Sequence, residues 1–222
     1  MFHVKHFCGL TGSMKSAIAT SDLSQNVSRE TFLALQNYVA LLQKWNKAIN
    51  LIGKSTEQEI WQRHIEDSLQ LLPLIPSRVT RLADMGSGAG IPGLVIAIAK
   101  PEIHITLIEQ DQRKSAFLRE AAATLGLKNV TVRDCAIEKV DEIFDLITAR
   151  ALASLEALCA LAYPRLAHGA ICLFPKGKNF AIELQEASKK WQFKHGLKTS
   201  STQDDSSIIT LTELAKRKGS NL

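Results

Sequence analysis

The residues best placed to do chemistry are a run of glycines behind a carboxylate, Asp84-Met85-Gly86-Ser87-Gly88-Ala89-Gly90, with Glu109, Glu138 and Arg150 further on. Alternating glycines let a chain curl tightly and bring its backbone close to a ligand, which suits a nucleotide or nucleoside. Gly88-Ala89-Gly90-Ile91-Pro92-Gly93 also fits the dinucleotide pattern GxGxxG, and Glu109 lies about 20 residues on, where the ribose-binding acid of such sites falls. Spacing alone therefore admits two ligand classes. Charge favours one of them. A dinucleotide lays an anionic pyrophosphate on this turn, which Asp84 would repel. S-adenosylmethionine brings an ammonium and a sulfonium, which Asp84 suits directly or through water. The expectation is a methyl-donor site, with a nicotinamide oxidoreductase as the alternative. Asp84 could also be a turn carboxylate that touches only its own loop.

The remaining positions extend the same site. Glu109 closes a β-branched run and is placed to accept from two ribose hydroxyls. Cys135-Ala136-Ile137-Glu138 follows the next such run, where backbone groups and an apolar side chain suit a neutral purine. Thr148-Ala149-Arg150-Ala151 puts an arginine at the mouth, for ligand contact or for a plain salt bridge. This segment lacks the Asn/Asp-Pro-Pro-aromatic pattern common in methylases of exocyclic amines. An acceptor such as a ring nitrogen with a free lone pair is favoured. His64 and Asp67 stand one helical turn apart and are expected to form a polar staple near the mouth rather than a metal site.

These residues need a frame. Apolar positions Phe32, Leu35, Val39, Leu42, Trp45 and Ile49 recur at helical spacing behind Ser28, a good N-cap. A second helix is expected from Thr56, carrying Ile60, Trp61, Ile65, Leu69 and Leu72 until Pro73 and Pro76. After Ser77 short β-branched runs alternate with helical stretches, the grammar of a parallel sheet. Strands are expected at 81–84, 103–109, 130–132, 144–148 and 170–174, helices over 155–166 and 179–192, and last strands at 192–198 and 208–214. Pro92 fits a first helical position. The fold class is α/β: a Rossmann-like class I methyltransferase with a doubly wound, mostly parallel sheet and an N-terminal helical cap. Its expected parts are a flexible leader over 1–26, the cap over 27–76 and an S-adenosylmethionine-binding domain over 77–222.

Composition narrows the class. The chain has 222 residues, 45% of them hydrophobic, enough for one large core and a small appendage. No apolar run is long enough to span a bilayer and no secretory signal opens the chain, so a cytoplasmic protein without a membrane partner is expected. Cys8, Cys135, Cys159 and Cys172 are scattered, with no metal-ligand spacing, and read as reduced thiols. A formal charge of +5 favours a polyanionic partner, although the tail Lys216-Arg217-Lys218 is expected to be a frayed, solvated end.

Taken together, Trp45-Asn46, Asn50-Leu51, His64, Asp67-Ser68-Leu69, Asp84 to Gly93 and Arg150-Ala151 resemble the RsmG/GidB family, bacterial guanine N(7) methyltransferases of 16S rRNA. The resemblance covers roughly Val27 to Gly177. It implies that Gly86, Ile91, Ile137, Glu138 and Arg150 contact S-adenosylmethionine, with Glu109 at the ribose. It also implies a target guanosine in the 530 loop, guanine 527 in the usual rRNA numbering. With no dedicated RNA-binding module evident, the small ribosomal subunit is the expected substrate, and the enzyme is expected to be a monomer. The last strand departs from the family pattern: Ser206-Ser207 precede Ile208 and Glu213 follows, so no substrate contact is carried over there. Guanine N(7) presents a bare lone pair, so direct in-line transfer would need positioning and electrostatics, with Arg150 as the catalytic contact. Lys176 and Lys178 flank Gly177 and are candidates to guide the RNA backbone, or are simply solvated. A nonenzymatic ribosome assembly factor that keeps a cofactor pocket is the remaining rival.

Overall fold

The computed structural model describes residues 27–217. The expected leader over 1–26, with Cys8, and Lys218 of the basic tail lie outside the described residues.

Strands β1 (Arg81–Met85), β2 (His104–Ile108), β3 (Val130–Arg133), β4 (Phe144–Thr148), β5 (Leu166–Lys176), β6 (Trp191–Thr199) and β7 (Ser207–Lys216) form one sheet ordered β3-β2-β1-β4-β5-β7-β6. The first five are parallel; β7 runs antiparallel to both β5 and β6. The order reverses between β1 and β4, so the crevice for a ligand lies beyond the carboxyl ends of those strands. Strand alternation divides the core. Leu82, Ile105, Leu107, Leu146, Ile171 and Leu173 face one side, while Ala83, Met85, Ile108, Ile147, Cys172 and Phe174 face the other.

Helix α1 (Arg29–Ile49) opens as expected at Ser28, whose side chain accepts from the Thr31 N–H, and closes at Asn50 in the left-handed region. Its buried face, Leu35, Tyr38 and Leu42, shares one hydrophobic cluster with Leu82 and Leu94. The N-terminal segment thus packs directly on the sheet's first face.

The second expected helix is different. Residues Lys54–Glu59 wind as a 3₁₀ turn, Trp61–Glu66 as a π turn and Asp67–Leu69 as the short α2. The segment from Ile65 to Leu71 is buried throughout. A wider turn tolerates this, because its polar side chains find partners on other elements; π segments are frequent where a function constrains a helix. Helices α3 (Gly93–Ala99) and α4 (Gln112–Thr124) cover the first face, while α5 (Leu155–Ala162) and α6 (Phe180–Lys190) cover the second. Pro92 is the residue before α3 rather than its first residue. Helix α5 gives way after Ala162 to a 3₁₀ turn, Tyr163–Arg165, ahead of its expected end. Strand β5 is longer than expected at both ends: Leu166 pairs with Phe144 of β4, and β7 pairs with it from Ile171 to Lys176. The expected frayed tail is also corrected: β7 runs to Lys216, and Arg217 donates to the carbonyls of Ser188 and Trp191. Among the described residues no helix is long and apolar enough to cross a membrane.

Candidate active site

The glycine loop leaves β1 and turns back over the sheet. Gly86 and Ser87 N–H groups both donate to the Ile108 carbonyl at the end of β2. Gly86 has φ +66 and Gly90 φ +81, conformations that resist a Cβ. A Cβ on Gly86 would also lie 2.6 Å from Leu152 Cδ1, and one on Gly93 would strike Leu107 and approach Asp84 Oδ2 to 2.6 Å. Two polar contacts fix the loop from beneath. Asp84 Oδ2 accepts from the Gly93 N–H at 3.2 Å, and the Tyr38 hydroxyl on α1 donates to the Ala89 carbonyl at 2.6 Å. Asp84 is buried, and that burial raises its carboxyl to about 7. The Gly93 N–H opposes the rise and the neighbouring Glu109 carboxylate adds to it.

Above the loop lies a cavity of about 390 Å³. Gly86, Gly88, Glu109, Ile137 and Glu138 line it as the sequence suggested. Glu109 bridges two segments: Oε2 accepts from the Gly88 N–H and Oε1 from the Asp111 N–H, both at 2.9 Å. Lys114, Ala151 and Leu152 also line the cavity and were missed by sequence reasoning. The signal for Leu152 was faint. It is an apolar residue directly after the Arg150-Ala151 pair, and 38% of it stays exposed.

Asp84, Gly90, Ile91 and Arg150 do not line this cavity. Gly90 and Ile91 pack into the first-face core, Gly90 against Leu94 and Leu118. Asp84 sits beneath the turn, in the loop-holding role that was its alternative. Arg150 points instead into a second cavity of about 290 Å³, at the ends of β4 and β5 and against the β6–β7 connection. Ala151, in the left-handed region at φ +52, lines both. The two cavities are neighbours across one residue.

The α1–α2 segment grips Arg150. Its guanidinium donates to the Arg63 carbonyl at 2.7 Å and to His64 Nδ1 at 3.1 Å, and pairs with Asp67 Oδ2 at 3.2 Å. A guanidinium has no lone pair to give, so His64 Nδ1 is the acceptor and the ring proton resides on Nε2. That nitrogen reaches Thr56 Oγ1 at 3.0 Å, and the Thr56 hydroxyl donates to the Gly53 carbonyl. Burial and then the Arg150 charge push the His64 pKa down to about 4. His64 and Asp67 therefore form a staple, but they meet on Arg150 rather than on each other. Asp67 Oδ1 also accepts from Gln70, Thr202 and Ser200, and Gln70 Oε1 accepts from the Ser201 N–H. One network joins the helical segment, β4 and the β6–β7 loop.

The two lysines behave differently. Lys176 is nearly buried. It pairs with Glu183 Oε2 at 2.6 Å and donates to the Ala153 carbonyl, so its ammonium is committed inside the second cavity rather than offered to a phosphate. Lys178 is exposed and lines neither cavity. Among the described residues no cluster of His, Cys, Asp and Glu is arranged to hold a metal ion.

Comparison with known proteins identifies the family and the fold. Residues 32–208 fit the family model GidB, rRNA small subunit methyltransferase G. The chain is 48% identical over 195 residues to ribosomal RNA small subunit methyltransferase G of Cereibacter sphaeroides, covering 86% of this chain and 93% of that one. It is 48% identical over 193 residues to the protein of that name from Acidiphilium cryptum, covering 86% and 88%. Among solved structures, ribosomal protein L11 methylase of Lactobacillus delbrueckii superposes with a TM-score of 0.53 at 18% identity, over 70% of this chain and 79% of that one. A SAM-dependent methyltransferase of Aquifex aeolicus does so with a TM-score of 0.53 at 14% identity, over 70% and 92%. The mostly parallel seven-stranded sheet with its flanking helices shares the fold of these methyltransferases, and the chain belongs to the GidB family of rRNA small subunit methyltransferases.

Proposed function

We propose that this S-adenosylmethionine-dependent rRNA methyltransferase acts on guanine N(7) in the 530 loop of 16S rRNA, as a cytoplasmic monomer working on the small ribosomal subunit. The observation that carries this reading is the pair of cavities meeting at Ala151.

The first cavity suits the cofactor. Glu109 is already held by two backbone N–H groups and keeps lone pairs for ribose hydroxyls. The strained turn at Gly86 keeps a Cβ out of the space beside Leu152. Ala136, Ile137 and Leu152 offer backbone and apolar surface for the purine. Asp84 sets a negative or protonatable group under the loop that would carry the cationic amino-acid end. S-adenosylmethionine supplies an electrophilic methyl group when bound there.

The second cavity suits the acceptor. It opens at the ends of β4 and β5, next to the first, and is lined by Arg150 and by Glu183. Guanine N(7) is already an acceptor with a free lone pair, so its attack on the methyl requires no proton removal. The chain's contribution is then orientation, which can supply roughly 7–11 kcal/mol. The Arg63, His64 and Asp67 contacts fix Arg150 in the second cavity, next to Ala151 where the cavities meet, so that the wall of the acceptor site is held in one orientation. The formal charge of +5 suits an RNA partner.

The test is transfer of labelled methyl from S-adenosylmethionine to undermethylated small subunits, followed by mapping. Label in 7-methylguanosine at the 530 loop is expected. Label on another atom or nucleotide would refute the assignment, and tight binding of NADH without adenosylhomocysteine binding would refute the cofactor.

A further inference from the structure

Two carboxylates line the second cavity, and they are in different states of engagement. Asp67 is committed: Oδ1 accepts from Gln70, Ser200 and Thr202, and Oδ2 pairs with Arg150. Glu183, in the first turn of α6, uses only one oxygen. Its Oε2 accepts from the Leu155 N–H at 2.7 Å and from Lys176 Nζ at 2.6 Å. Among the described residues, no donor reaches Oε1. The Leu155 amide and the Lys176 ammonium lock the side chain in place, and Lys176 is itself fixed by the Ala153 carbonyl. A carboxylate held rigidly through one oxygen, with the other unused at a cavity wall, is built to accept hydrogen bonds from something that enters.

We propose that Glu183 reads the Watson–Crick edge of the target base and so makes this cavity selective for guanine, an inference that rests on the second cavity being the acceptor site. An ionised carboxylate only accepts hydrogen bonds. Guanine offers it two adjacent donors, N1–H and the N2 amino group. Adenine presents a bare lone pair at N1 and cytosine one at N3, each facing the carboxylate unfavourably. Enzymes that modify a base draw it out of its stack into a fitted pocket and read this edge there.

The geometry also orients the reaction. N7 lies on the far side of the purine from N1 and N2, so a base gripped by Glu183 turns N7 away from α6. Ala151, on the β4 side, is where this cavity meets the cofactor cavity. Pro175, Ala151 and Ile208 provide uncharged surface for the faces of the ring, and a Cβ on Gly177 would meet nothing within 4 Å, leaving room at that wall. A volume of about 290 Å³ is at the lower end of small-ligand sites.

The experiment uses the full-length protein and small subunits reconstituted with 16S rRNA carrying either guanosine or inosine at the target position. Inosine lacks only the 2-amino group. For the wild type, kcat/KM on inosine should fall roughly 10-fold or more below that on guanosine, as expected for losing a hydrogen bond to a charged acceptor. Glu183→Gln keeps an oxygen for Leu155 and Lys176 but turns an amide donor toward the base. It should lower kcat/KM on guanosine roughly 10- to 100-fold and bring the guanosine-to-inosine ratio close to one. Its affinity for adenosylhomocysteine should match the wild type, since Glu183 does not line the cofactor cavity. Lys176→Met loosens Glu183 but leaves its carboxylate and the Leu155 N–H contact, and should reduce the ratio less than Glu183→Gln does. An unchanged ratio in Glu183→Gln, or an equal collapse in Lys176→Met, would overturn the proposal. Formation of 7-methylguanosine with no discrimination against inosine would refute Glu183 alone. Methylation at another atom of the guanosine substrate would instead refute the proposed function.

Discussion

Replacing Tyr38 by Phe isolates a single atom of the contact between α1 and the glycine loop. The Tyr38 hydroxyl donates to the Ala89 carbonyl at 2.6 Å, Tyr38 is fully buried and Ala89 is 5% exposed. No other donor to that carbonyl exists among the described residues. Phenylalanine keeps the ring in its place among Leu35, Leu42 and Leu94, so no large cavity opens. What is lost is the hydrogen bond, and a buried carbonyl is left unsatisfied, at a cost of about 1–3 kcal/mol. For a domain of this size that is a fall in Tm of about 2–4 °C for each kcal/mol. Urea unfolding should show a lower midpoint with unchanged m, because the surface exposed on unfolding is the same. Calorimetry should show adenosylhomocysteine binding weakened by roughly a few-fold, since the ligand must now order a loop that the hydroxyl had held. Tyr38→Ala should cost more, about 3–5 kcal/mol, by adding a core cavity to the lost bond. An unchanged midpoint in Tyr38→Phe would refute the claim that this hydroxyl holds the loop.

Two buried groups should give the protein opposing pH dependences. The Asp84 carboxyl is raised from 3.8 to about 7, so between those values the folded state holds the extra proton and stability falls as pH rises, by up to about 4 kcal/mol in all. Asp84→Asn should therefore be more stable than wild type at pH 8, with the gap closing toward pH 4 in urea titrations; a constant gap would remove the titration from Asp84. His64 is lowered from 6.5 to about 4, so its contribution is complete above 6.5 and is lost as pH falls through 4. His64→Gln retains an acceptor for Arg150 and should lack this acid-side loss, and an acid limb identical to that of the wild type would exclude His64 as its source. Glu109→Gln turns an amide donor toward either the Gly88 or the Asp111 N–H, both now bonded to the carboxylate. Adenosylhomocysteine affinity should drop roughly 10-fold or more, and calorimetry showing an unchanged Kd would detach Glu109 from the cofactor.

The parallel strands were legible because each is a short local run of branched apolar residues, and the switch point follows once their alternation with helices is seen. Gly86, Gly88, Glu109, Ile137 and Glu138 were legible for the same reason: each sits at the end of such a strand, where the fold puts ligands. Arg150 was legible as a position but not as a set of contacts. Its partners, Arg63, His64 and Asp67, stand more than eighty residues earlier, and no local pattern reports a bond over that distance. The winding of 54–69 was hidden too. Apolar spacings of four and three residues describe an α-helix, but burial of Ile65 through Leu71 on all sides obeys no amphipathic period. Lys176 looked like a surface lysine after a strand. Only the fold, which sets the first turn of α6 beside the end of β5, brings Glu183 to it.

These hidden contacts share a direction. Every long-range polar bond of the N-terminal segment near the site ends on an element that a methyl-transfer reaction has to hold still. Tyr38 reaches the loop under the first cavity. Arg63, His64 and Asp67 reach the residue before Ala151, where the cavities meet. Asp67 and Gln70 reach the β6–β7 loop, which walls the second cavity. Hydrophobic packing alone would hold this segment on the sheet, and Leu35, Leu42 and Ile65 supply it. Packing, however, is non-directional, whereas hydrogen bonds to Ala89, Arg150 and Ser201 fix angles as well as distance. Orientation is the quantity that a transfer between two bound groups depends on most steeply. The N-terminal helices are therefore better understood as the part of the site that sets its geometry than as a lid over a finished one.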